Sequence, residues 1–141
     1  MKALAAILLL ASGASSAFMA KTYDAEVIRV LDGDTVVIAA RYLPEPLKPE
    51  LAVRVFGVDT PEKAPRAKCI AEAERGLAAT AFTKQAVANA TTVQVSIMSW
   101  DKYGGRVLGD LLLNGNSLSK MLIDAGLARR YFGEKKESWC Q

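Results

Sequence analysis

An α+β domain with five strands and two helices is the fold class that the sequence predicts, and three observations predict it. Two runs rich in β-branched and apolar residues, 22–31 and 35–41, are separated by Asp32-Gly33-Asp34, which is a strong hairpin signal. A long stretch, 72–90, is rich in alanine and contains no proline, which is typical of a helix. A third stretch, 93–97, alternates apolar and polar residues, as a half-buried strand does.

The remaining strands and loops follow in chain order. The segment 44–49 contains three prolines and is expected to be a surface loop before a third strand at 51–57. Residues 59–69 contain prolines and several charges, which is the composition of a loop. A fifth strand is predicted at 106–113, and the turn Asn114-Gly115 ends it.

Both predicted helices carry apolar residues at helical spacing. Ser117 can cap the second helix, which is short, and Gly126 suits its left-handed C-terminal position. The apolar positions are Leu77, Ala78, Ala81, Phe82 and Ala86 in the first helix, and Leu118, Met121, Leu122 and Ala125 in the second. Three strands, a helix, two strands and a helix match the OB-fold, a partly open five-stranded β-barrel that often binds nucleic acids. We expect a single domain of this kind over residues 21–141.

The composition excludes several kinds of chemistry, because the 141 residues include no histidine. Ser-His and Cys-His nucleophilic pairs and all histidine-ligated metal sites are therefore ruled out. Catalysis would use carboxylates, arginine, lysine or tyrosine, and a metal site would offer the oxygen ligands that suit calcium, magnesium or manganese. The net charge of +3 is small, so any affinity for phosphate requires a local basic cluster.

Residues 1–20 have the three-part layout of a secretory signal peptide. Lys2 precedes the apolar run 3–11, and small residues follow it. An apolar run of about 10 residues is much shorter than the roughly 20 needed to span a bilayer. We expect cleavage after Ala17, or alternatively after Ala20, and export to the periplasm or the extracellular space.

Two cysteines, Cys69 and Cys140, lie far apart in the sequence. An even number of cysteines in an exported domain predicts one disulfide, although two unrelated buried thiols remain the alternative. A bridge would close a loop of about 70 residues and stabilise the fold by roughly 4 kcal/mol through the entropy of the unfolded chain.

Three short segments, 32–35, 54–62 and 101–106, contain most of the charged residues of interest. Asp34 begins the second strand and Asp59 follows the third, so their carboxylates are able to converge at one end of adjacent strands and attract a hard cation. Each acid also has an ordinary explanation, Asp34 as part of a hairpin turn and Asp59 as a solvated loop residue.

These segments resemble, in the same order, the three motifs of the staphylococcal nuclease (thermonuclease) family, and the order of strands and helices agrees over about residues 23–131. The resemblance implies that Asp34, Asp59 and the backbone carbonyl of Thr60 bind calcium. It also implies that Glu62 is the general base or orients the attacking water.

The resemblance further assigns Arg54 and Arg106 as a clamp on the phosphorane, and Lys102 and Tyr103 as residues beside the nucleotide. Arg54 also has a simpler explanation, an ion pair with Asp34. Gly104-Gly105 places Arg106 one residue later than in the shortest family pattern, and glycine flexibility is expected to absorb the difference. Lys102 is the competing candidate for this position.

The expected activity is calcium-dependent hydrolysis of phosphodiester bonds in DNA and RNA by a monomer, and the resemblance implies 3′-phosphate products. Two alternatives remain: a nucleic-acid-binding module with weak or no catalysis, and an oligosaccharide-binding OB-fold. The oligosaccharide alternative explains the barrel but not two arginines around an acidic cluster.

Overall fold

The computed structural model describes residues 21–40 and 50–141. The predicted signal peptide at 1–20, the end of the second strand at Arg41 and the loop 44–49 lie outside these residues. None of the described helices is long and apolar enough to cross a membrane.

The described residues form short strands and two helices. In chain order these are β1 (Thr22–Asp24), β2 (Val27–Asp32), β3 (Thr35–Ala39), β4 (Glu50–Val55), β5 (Val58–Asp59), α1 (Ile70–Asn89), β6 (Val93–Trp100), β7 (Arg106–Leu113), β8 (Asn116–Ser117), α2 (Leu118–Asp124) and β9 (Arg129–Arg130).

The main sheet is mixed and has the strand order β1-β6-β7-β4-β3-β2, with β8 added to β7. β4 and β7 are parallel, and the other pairs in this sheet are antiparallel. β5 and β9 form a separate two-stranded ladder. A mixed sheet with two helices confirms the predicted α+β, OB-like class, although the strand pairs are assigned to an open sheet and not to a closed barrel.

The predicted first strand, 22–31, is divided in two. β1 pairs with β6, whereas β2 pairs with β3 across the predicted hairpin. The chain changes partner at Ala25, whose N–H donates to the carbonyl of Val93. The hairpin itself is confirmed, because Asp32 pairs with Thr35 and the two residues between them form the turn.

Helix α1 is confirmed, but the predicted apolar face is wrong in part. Phe82 and Ala86 pack against the core, whereas Leu77 is 61% exposed. The buried positions are instead mostly small residues, among them Gly76, Ala79 and Thr83. This face lies so close to its neighbours that larger side chains would not fit, since a Cβ on Gly33 of the hairpin turn would lie 2.7 Å from the Cβ of Ala79.

The core lies between the main sheet and the two helices. Its largest fully buried side chains include Leu111 of β7 and Leu118 and Leu122 of α2. Ser117 caps α2 by accepting from the N–H of Lys120, as predicted, and Gly126 has φ +71°. Other buried apolar side chains are Val36, Val53, Val55, Val58, Val95 and Val107. Ala125, predicted on the apolar face, is exposed because it is the C-terminal cap of the short helix.

Candidate functional site

The hairpin turn places Asp34 beside Arg54. Thr35 and Arg54 are paired across β3 and β4, and the carbonyl of Asp34 accepts from the N–H of Val55 at 2.7 Å. The Arg54 guanidinium lies 3.6 Å from Asp34 Oδ2, and the Thr35 hydroxyl donates to Oδ1 at 2.9 Å. The structure therefore joins these two predicted site residues in the ion pair that an arginine within an apolar strand requires.

Asp59 is buried, and its partners come from the last residues of the chain. Its Oδ1 lies 2.6 Å from the ammonium of Lys136, and its Oδ2 accepts from the indole N–H of Trp139 at 3.0 Å. We call residues 133–141 the C-terminal segment. Sequence reasoning missed both of its contacts with Asp59, and the only signal for them was the position of Trp139 next to a cysteine expected to be bridged.

That bridge is present, because Cys69 and Cys140 form a disulfide with their Cα atoms 5.9 Å apart. Cys69 is the N-cap of α1, and Cys140 lies outside the helices and strands. The carboxylate of Glu72 lies close to both sulfurs, but the disulfide uses the two thiols, so this group does not offer a thiolate metal site.

The loop after Asp59 is tied to both the hairpin and helix α1. Arg66 contacts the Glu62 carboxylate at 3.0 Å and the Asp32 carboxylate at 3.1 Å. These two charges, Glu62 foremost, raise the pKa of Arg66. The buried carboxylate of Glu72 accepts from the backbone N–H groups of Glu62 and Lys68. The hydrogen bond to Glu72 therefore holds the backbone of Glu62 in place, while the Glu62 side chain remains partly accessible.

The third segment gathers charges around Asp101. Gly104 and Gly105 both have φ +69°, a conformation that glycine adopts at little cost, and Arg106 follows them at the start of β7. The Arg106 guanidinium donates to the buried Asp101 carboxylate. Burial alone would raise the pKa of Asp101, but the hydrogen bond and the charge of Arg106 hold it below its usual value.

Aromatic and basic side chains surround this pair. The ring of Tyr103 lies 5.0 Å from the Lys102 ammonium and 5.8 Å from the Arg106 guanidinium. The positive charge of Arg54 also helps to keep the Asp101 carboxylate ionised. Sequence reasoning gave no role to Asp101, whose carboxylate accepts from Arg106, one of the two arginines predicted as a clamp.

Two neighbouring clefts contain most of the predicted site residues, whereas Asp34 and Arg106 line neither. The acidic cleft, of about 980 Å³, is named for Asp59 and Glu62, which line it with Thr60. Basic side chains also line it, namely Arg66, Lys68, Arg129, Lys135 and Lys136. The aromatic cleft, of about 400 Å³, is lined by Arg54, Trp100, Lys102, Tyr103 and Phe132. Lys136 lines both clefts, so they adjoin at its side chain.

The donor set of the acidic cleft fits a hard cation. Asp59 and Thr60 of this cleft, and Asp34 at the hairpin turn outside its lining, are all buried and offer only oxygen atoms, which calcium and magnesium prefer to nitrogen and sulfur. The ammonium of Lys136 already lies against one Asp59 oxygen, so the cleft stabilises positive charge at this point. These residues are therefore suited to bind the calcium that the sequence analysis predicts.

An OB-like α+β domain with buried acids, two arginines and an adjoining aromatic cleft is a nuclease-like or nucleic-acid-binding module. The family model of staphylococcal nuclease homologues matches residues 52–139, which is more than half of the chain, and the chain belongs to this family. Its members are usually nucleases and are in general calcium-dependent. A search of curated proteins finds no match to the chain. The matched range includes every residue predicted to bind metal or nucleotide or to act in catalysis except Asp34, and of the two bridged cysteines it includes Cys69.

Proposed function

We propose that the chain is an exported, calcium-dependent endonuclease that hydrolyses phosphodiester bonds of DNA and RNA. The observation that carries the proposal is the arrangement of Asp59, Thr60 and Glu62 in one cleft, which adjoins the cleft of Arg54. A buried oxygen-donor group next to guanidinium groups suits a phosphate and a divalent cation together.

Asp34, Asp59 and the carbonyl of Thr60 would hold the cation. When bound, calcium polarises the phosphate and offsets the negative charge that develops on it. The carboxylates of Asp34 and Asp59 are already largely shielded from water. They are paired with Arg54 and Lys136 respectively, so a bound cation would replace Lys136 at Asp59 and share Asp34 with Arg54.

Glu62 would orient a water molecule and accept its proton as the water oxygen forms a bond to phosphorus. The bond from phosphorus to the 5′ oxygen breaks, and that oxygen takes up a proton from solvent, leaving a 3′-phosphate and a 5′-hydroxyl. Arg54 and Arg106 would contact the equatorial oxygens, where a planar guanidinium can donate two hydrogen bonds at once. Their pairing with Asp34 and Asp101 limits their motion before substrate binds.

The aromatic cleft would hold the nucleotide next to the reacting phosphate. Tyr103 is 74% exposed and able to stack on a base, and Lys102 places a positive charge beside it. Stacking is tolerant of sequence, so we expect weak base preference.

Plasmid cleavage tests this function. The purified mature chain is incubated with supercoiled plasmid or with RNA in calcium, in magnesium or in EGTA, and Glu62→Gln protein purified in parallel controls for a contaminating nuclease. We expect cleavage in calcium, less in magnesium, which tolerates irregular ligand geometry poorly, and none in EGTA. Equal cleavage in EGTA would show that the activity does not require a divalent cation. Binding of DNA without cleavage would instead indicate a nucleic-acid-binding module.

We also propose that the mature protein begins after Ala17 or Ala20 and acts in the periplasm or outside the cell, where calcium is available and disulfides persist. Intact-mass analysis of protein from the periplasmic fraction, after thiol alkylation without reductant, measures both features. A retained leader or two alkylated cysteines would contradict export.

A further inference from the structure

The C-terminal segment is held over the acidic cleft by covalent and non-covalent contacts. Cys140 is bridged to Cys69 at the start of α1. The Trp139 carbonyl accepts from Arg75 of the same helix at 3.1 Å, and the guanidinium of Arg129 lies 3.8 Å from the indole ring. The indole is consequently buried, and its N–H has a defined direction.

The two contacts of this segment with Asp59 have opposite consequences for a cation. Trp139 is a neutral donor on Oδ2, so it fixes the orientation of the carboxylate without neutralising it. The ammonium of Lys136 places a full positive charge against Oδ1 of Asp59. A divalent cation bound at this oxygen would have to replace that ammonium. The Lys136 side chain is 45% exposed and therefore has room to move into solvent.

We propose that the C-terminal segment sets the cation affinity of the acidic cleft, with Trp139 as a positioning residue for Asp59 and Lys136 as an internal counter-ion that the cation displaces. The inference rests on the proposed function, because it takes Asp59 as a cation ligand. It assigns roles to two residues that lie outside the three charged motifs.

The disulfide is part of this arrangement. Trp139 directly precedes Cys140, so the bridge restricts the backbone from which the indole reaches Asp59. Loss of the bridge releases this restriction and weakens cation binding through Trp139.

Isothermal titration with calcium chloride, without substrate, tests the two contacts separately. Trp139→Phe keeps an aromatic ring but removes the N–H, and we expect its affinity to fall by about 10- to 100-fold, the usual effect of losing a partner of a metal ligand. Lys136→Met keeps the aliphatic stem but removes the charge, and we expect about tenfold tighter binding. The matched control is Lys84→Met, which makes the same change of charge at an exposed position of α1 that lines neither cleft, and it should alter affinity by less than about threefold.

The bridge is tested in the same assay with C69S/C140S. We expect this variant to bind calcium as weakly as Trp139→Phe, and the triple variant to be no weaker, because coupled residues give non-additive effects. Circular dichroism establishes that each variant is folded. If C69S/C140S does not fold, the inference is tested by Trp139→Phe and Lys136→Met, which both keep the disulfide.

The possible outcomes separate this inference from the proposed function. Calcium binding by the unmodified chain, with unchanged affinity in Trp139→Phe and Lys136→Met, overturns only the inference. An equal gain in Lys136→Met and Lys84→Met shows an effect of overall charge and also overturns it. No calcium binding by the unmodified chain rejects the cation of the proposed function and the inference together, even if Lys136→Met binds calcium, because calcium then does not displace Lys136 in the native protein.

Discussion

Replacing Gly76 with alanine tests how closely helix α1 must approach the loop that carries Glu62. Gly76 is buried on the face of α1 that contacts this loop. A Cβ at this position would lie 2.5 Å from the carbonyl oxygen of Glu62 and 2.9 Å from the amide nitrogen of Lys63. Both are backbone atoms, so no side-chain rotation relieves the overlap.

The expected loss of stability in Gly76→Ala follows from these distances. Ordinary contact begins at 3.4 Å, so helix and loop must separate by 3.4 − 2.5 = 0.9 Å. Overpacking of this kind costs about 1–3 kcal/mol, and the greater helix propensity of alanine offsets about 1 kcal/mol, leaving a net loss of about 1 kcal/mol. The effect on catalysis is expected to be larger, since moving a catalytic group by 1 Å lowers turnover by about 10².

Urea unfolding followed by circular dichroism and calcium-dependent cleavage under single-turnover conditions measure the two effects. The matched control is Ala78→Ser, which also adds one heavy atom to α1 but at an exposed position. We expect the control to behave like the unmodified chain. A Gly76→Ala protein that is about 1 kcal/mol more stable and fully active would refute the close approach and the role of the loop.

Three further predictions concern the charged residues. Glu62→Gln should lower turnover by roughly 10² to 10⁴ with little change in DNA binding measured by fluorescence anisotropy, and near-normal turnover would remove Glu62 from the mechanism. Arg106→Lys keeps the charge but loses the planar fork, so turnover should fall by roughly 10², whereas a tenfold larger defect in Lys102→Ala would transfer the role to that lysine. Because the pKa of Asp101 is lowered in the folded state, its stabilising effect should be complete above the ordinary value of about 3.9 and be lost as the pH falls through the lowered value. The free energy of unfolding in urea should therefore be higher for the unmodified chain than for Asp101→Asn at pH 5, and this difference should shrink as the pH falls to 2. A difference that stays constant would contradict the ion pair.

Local sequence signals predict the parts of the fold that local interactions determine. The Asp32-Gly33-Asp34 hairpin, the strand at Arg106–Leu113 and the Ser117 cap are all confirmed, because turn residues, alternation and capping act within a few positions. The buried face of α1 is different. Its small residues are buried because the helix lies against Gly33 and Glu62, which are distant in sequence, and the spacing of larger apolar residues does not reveal this contact.

The same distinction applies to the candidate site. The ion pair of Arg54 with Asp34 follows from two strands joined in register, and the sequence analysis anticipated it. The contact of Trp139 with Asp59 joins residues separated by 80 positions, and it depends on a disulfide whose partner lies at the start of α1. Apart from the position of Trp139 next to a cysteine expected to be bridged, the sequence pattern does not indicate which residue this indole contacts.

The position of Gln141 has a practical consequence for work with this chain. Gln141 lines the acidic cleft, one residue after the bridged Cys140. Any peptide that continues from Gln141, such as an affinity tag or a fusion partner, therefore starts at the mouth of this cleft and competes for space with a nucleic-acid strand. Lys21 is exposed and lines neither cleft, so a tag ahead of it is the better choice, and C-terminally tagged protein should be compared with untagged protein before its activity is interpreted.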